Sequence, residues 1–129
     1  MKNLPFYFKD ESILNEINQL PALYSEYQSF EEVNEENRNT YYSAVITFSN
    51  ALIEVTTNIL VKLSSYPELI EKYIDIAGAE NVGEQIQAEI FSYITGGSIE
   101  NSIELVRMQN ALTVRVIGIL DEQKVSSRN

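Results

Sequence analysis

The chain contains no cysteine, no histidine and no tryptophan, and it has only three prolines, five glycines and nine basic residues. Each absence removes a class of chemistry. Without cysteine there are no disulfides, thiolate nucleophiles or thiolate metal ligands, and such a composition fits a reducing compartment. Without histidine there is no imidazole base, which excludes Ser-His-Asp triads and the Glu-x-x-His ligand pairs of di-metal helical bundles. Nine Lys and Arg against nineteen Asp and Glu give a formal net charge of −10. That balance opposes direct contact with nucleic acid or anionic lipid and suits a basic partner, although acidic charge also serves solubility alone.

A long aliphatic run is missing as well. The stretch from Thr40 to Val61 would reach ~30 Å as a helix, but Asn50, Glu54 and Asn58 within it are costly in hydrocarbon, so no membrane span is expected. The opening MKNLPFYFKDES is too quickly acidic and too poor in apolar residues for a signal peptide. A cytoplasmic location is the expectation.

What remains is helix-forming sequence. A chain of 129 residues is one domain by size and buries roughly two-thirds of its unfolded surface. The expected fold is all-α: one helical bundle over 1–129 of about five to six helices, organised around two long ones at about 38–66 and 99–123. In the first of these, Tyr41, Val45, Phe48, Leu52, Val55, Ile59 and Leu63 recur at intervals of four and three and form one buried stripe. Ile46, Ile53 and Leu60 repeat every seven residues beside it. Ser43, Thr47, Asn50, Glu54 and Thr57 make a polar stripe with a single charge, expected to be a boundary face whose hydroxyls bond back to their own helix.

The other elements follow from caps and breakers. Residues 1–9 read as an extended strap with an aromatic cluster, Phe6, Tyr7 and Phe8. Asp10 caps a short helix to about Leu20, and Pro21 restarts the chain into a second, from Ala22 to about Val33. Pro67 to Ala77 is expected to be helical and closed by Gly78, and a further helix from about Gly83 to Ile94 should stop at Gly96-Gly97. Ser98 caps the last helix, with Ile103, Val106, Asn110, Thr113, Ile117 and Leu120 facing inward, a Glu104–Arg107 pair outside, and a frayed tail over 124–129. An Asn50–Asn110 contact would fix the register of the two long helices. Gly118 signals either close backbone packing or a tolerated weakness.

No constellation for catalysis, cofactor or metal stands out, so the chain is expected not to be an enzyme. Glu54 is the one carboxylate of the central stretch, and with no acid, base or cofactor motif beside it, solvent exposure is the expectation. The most concentrated charge is Glu31, Glu32, Glu35 and Glu36, which lack the Asp, Asn and Gly spacing of a calcium loop. They serve either as an acidic lead-in that favours the positive end of the next helix, or as a contact for a basic surface. Eight tyrosines outnumber five phenylalanines, and tyrosine suits interfaces because one ring supplies apolar area and a hydrogen bond. The candidate partner-binding surface is therefore Tyr24, Tyr27, Glu31, Glu32, Glu35 and Glu36. The expected function is a non-enzymatic protein-binding module, an acidic inhibitor or immunity-type protein that occludes a basic macromolecular partner. The alternative is a structural subunit or helical chaperone that homo-oligomerises through its long helices, with Ser43, Thr47, Asn50 and Thr57 as the contact.

Overall fold

The computed structural model describes residues 8–65 and 79–127, with side chains described as far as 125. Among these residues the chain is all-α, with helices α1 (Glu11–Ile17), α2 (Leu20–Gln28), α3 (Arg38–Leu63), α4 (Val82–Thr95) and α5 (Ile99–Ser127). Only two residues separate α1 from α2, which form the N-terminal arm; counted as one, they leave four helices among the described residues, slightly off the five to six expected. The helix expected over 67–77, strap residues 1–7 and Tyr66 lie outside the described residues.

α3 is the axis of the molecule and touches all four other helices, while α4 and α5 pack on each other most extensively. The cause is the stripe read from the sequence: Val45, Phe48, Leu52, Val55, Ile59 and Leu63 are all buried, and Tyr41 is half-buried. Burying each such large side chain stabilises the fold by about 1.5–3 kcal/mol before the cost of ordering it. By length and composition α3 is also apolar enough to cross a membrane; 44% of its most apolar stretch is buried within the protein. Its neighbours in the bundle account for that buried stripe.

The caps explain where most helices begin and end. The Asp10 carboxylate accepts the backbone N–H of Ile13 at 3.1 Å and also pairs with Lys62 of α3, which ties the start of α1 to the end of α3. The hydrogen bond from Lys62 holds the Asp10 carboxyl below its usual range. Asn81 caps α4 through Glu84 N–H at 2.8 Å, and Ser98 accepts Asn101 N–H at 3.2 Å in the first turn of α5. α2 stops at Gln28, short of the expected Val33. There the Ser29 hydroxyl donates to the Glu26 carbonyl at 2.7 Å, and continuing would set Glu31 and Glu32 on the negative end of the helix. Ser64 does the same for Val61 at the end of α3. α5 runs on to Ser127, past the expected Gln123, since no proline or glycine after Gly118 interrupts it.

The inward face of α5 differs from expectation in its middle. Ile103, Val106 and Val116 are buried, but the stripe passes through Gln109, not Asn110, and Asn110 and Ile117 are exposed. Asn50 is exposed too, so the Asn50–Asn110 contact does not form. Arg107 pairs across to Glu84 of α4 at 2.9 Å.

Two glycines separate opposite roles. Gly96 ends α4 at φ 73°, a left-handed conformation that a side chain strains, whereas a Cβ at Gly118 would meet nothing within 4 Å. Gly118 is thus a helix weakness and not a site of close packing within the chain. Gly118→Ala is expected to stabilise the fold by about 1 kcal/mol and Gly96→Ala to destabilise it by about 1–2 kcal/mol, as measured by urea unfolding at low protein concentration. Equal effects at the two positions would contradict this assignment.

Candidate functional site

The acidic segment is a loop between α2 and α3 whose backbone is fixed by two asparagines. The Asn34 side-chain oxygen accepts the N–H groups of Glu36 and Asn37 at 2.9 and 3.1 Å. Asn37 answers by accepting the Asn34 N–H at 2.8 Å and donating its amide to the Glu32 carbonyl at 2.8 Å. Asn and Asp side chains bond readily to nearby backbone, and here they hold a turn without using any of the carboxylates. Glu31, Glu32, Glu35 and Glu36 are all exposed. Their charge precedes the N-terminus of α3, where it also favours the helix dipole.

The rings expected beside them go elsewhere. Tyr27 is only 4% exposed, and its hydroxyl donates to Gln109 Oε1 on α5. Tyr24 is half-buried, 5.1 Å from Phe48 and 5.6 Å from Phe91 between ring centroids. Their place in the chain explains this: Tyr24 and Tyr27 share the face of α2 that carries Leu20 and packs on α3, while the glutamates follow after the helix has ended. The structure therefore brings the four carboxylates together in one ordered loop and assigns Tyr27 to the core.

Residues not singled out from the sequence border the loop instead. Val33 is exposed among the glutamates, and Phe30, half-buried, sets its ring 5.4 Å from Tyr41 at the loop's base. The signal for Val33 was its position as the one apolar residue inside a charged run. Gln109 was missed altogether, because an amide in a mainly apolar stripe reads as an edge residue. In the fold its Nε2 donates to the Thr113 hydroxyl at 3.3 Å, and that hydroxyl in turn donates to the Gln109 carbonyl at 2.8 Å.

No family model, curated protein or solved structure matches this chain. Among the described residues no group of three or more carboxylates is arranged to hold a metal ion. Glu54 is exposed on the outer face of α3. Ser43, Thr47, Asn50 and Thr57 are exposed with it, and the Thr47 hydroxyl bonds back to the Ser43 carbonyl at 2.8 Å.

Tyr27 carries a pH dependence. Burial, reinforced by the neighbouring Tyr24, pushes its phenol above the ordinary tyrosine value of 10.0. A raised acid favours the protonated folded state, so its contribution is complete below about pH 10 and is lost as pH rises past that value. Tyr27→Phe leaves the buried Gln109 side-chain oxygen Oε1 without its donor and is expected to cost about 1–3 kcal/mol at pH 7. The same variant should show a shallower loss of stability between pH 10 and pH 12 in denaturant titrations. An unchanged alkaline slope would mean that Tyr27 is not held protonated by the core.

Proposed function

We propose that this chain is a non-enzymatic protein-binding module that occludes a basic macromolecular partner, in the manner of an inhibitor or immunity protein. The observation that carries this reading is the loop of Glu31, Glu32, Glu35 and Glu36, whose side chains stand exposed on a backbone fixed by Asn34 and Asn37. An ordered loop presents its charges with less conformational entropy lost on binding than a flexible tail would. Val33 supplies an apolar point within the acidic ring, the arrangement that lets a contact be more than electrostatic. The net charge of −10 steers a cationic surface toward the loop from a distance.

The partner surface on this account is Glu31, Glu32, Glu35 and Glu36 with Val33, while Tyr27 acts from within the core and Tyr24 from its margin. A basic protein captured from host lysate at low salt should be released as salt rises. Replacing the four glutamates with glutamine is expected to weaken that complex about tenfold or more and to flatten its salt dependence. An affinity unchanged in the glutamine variant would remove this loop as the contact.

A further inference from the structure

The outer face of α3 carries a pattern of its own, separate from the acidic loop. Ser43, Thr47, Asn50, Glu54, Thr57 and Val61 alternate by four and three, and all six are exposed. At 3.6 residues per turn they share one side of the helix, opposite the buried line of Val45, Phe48, Leu52, Val55 and Ile59. That alternation is the spacing of a helix-pairing seam, and it continues for about 27 Å. Ile46, Ile53 and Leu60 run beside it at intervals of seven; Ile46 is half-buried, while Ile53 is 52% exposed and Leu60 37%. Between Arg38 and Lys62 the only charged residue is Glu54. In a chain of net charge −10, this is a face that two copies can bring together with little repulsion.

We propose that α3 pairs antiparallel with α3 of a second copy of this chain, about a two-fold axis level with Leu52 and Ile53. Self-complementarity selects both the occupant and its direction, because one axis matches the polar seam and the aliphatic line together. Asn50 and Glu54 stand equally far to either side of Leu52, so each Asn50 amide meets the other copy's Glu54 carboxylate and donates to it. Among the described residues neither of these side chains has another hydrogen bond or ion pair. The same axis sets Thr47 against Thr57 in the seam. On its flank Ile53 meets Ile53, and Ile46 meets Leu60, which withdraws the exposed aliphatic side chains from water. A parallel pair would oppose Glu54 to Glu54 and leave both carboxylates without a donor.

The test is sedimentation equilibrium of the full chain across a concentration series, with far-UV circular dichroism confirming that each variant is folded. The wild type is expected to dimerise. Asn50→Glu sets carboxylate against carboxylate and Ile53→Asp sets a charge against its own image, so each should raise the dimer dissociation constant about tenfold or more. Asn50→Lys sets an ammonium against Glu54 and should lower it about threefold or more, whereas a parallel pair would oppose lysine to lysine and weaken. All three variants leave the acidic loop intact, so their outcome is independent of the reading proposed for it. An Asn50→Lys dimer no tighter than wild type, or an Ile53→Asp dimer as tight as wild type, would overturn the proposal. So would a wild type that stays monomeric up to about 1 mM. Because α3 is apolar enough to cross a membrane, flotation with uncharged phosphatidylcholine vesicles is measured alongside, and a monomer that floats with them would assign the face to lipid instead.

Discussion

The hydrogen bond from the Tyr27 hydroxyl to Gln109 is the constraint on which the packing of this bundle turns. It joins the N-terminal arm to α5 in the interior. Around it the rings of Tyr24, Tyr27, Phe48 and Phe91 meet at centroid distances of 5.1 to 5.8 Å, several of them edge to face. Such pairs add about 0.5–1.5 kcal/mol each beyond the area they bury, but ring packing alone tolerates sliding. A buried donor facing a buried acceptor does not, since a shift that separates them leaves both desolvated. Phe48 supplies the bulk of the centre and Gln109 fixes where α5 must lie against it.

That arrangement also decides what is available at the surface. Because α2 spends its aromatic face on α3, the tyrosines that a composition rich in tyrosine suggested for an interface are drawn inward. The loop that follows is left with carboxylates and one valine, its backbone satisfied by Asn34 and Asn37. The acidic site is therefore a product of the fold's economy of polar groups: asparagines close the turn, so the glutamates need not.

Much of this was legible in the sequence, for physical reasons that differ by element. The α3 stripe from Val45 to Leu63 was readable because a helix buried on one side repeats at intervals of three and four whatever surrounds it. The caps at Asp10 and Ser98 and the stop at Gly96 were readable because they satisfy local backbone groups. The length of α2 was misjudged, since the hydroxyl of Ser29 and the charges of Glu31 and Glu32 outweighed the apolar Phe30 and Val33 that suggested continuation. The register of α5 was misjudged at Asn110, because a buried Gln109 is stabilised by a partner 82 positions away, which no local pattern reveals. Tyr27 failed as a surface residue for the same reason.

A double-mutant cycle on Tyr27→Phe and Gln109→Met tests the central claim most directly. If the bond locks the arm onto α5, urea unfolding of the four proteins should give a coupling of at least about 1 kcal/mol, with the double variant more stable than the sum of its parts implies. Strict additivity would contradict the account, leaving the two residues as neighbours in a core positioned by ring packing alone.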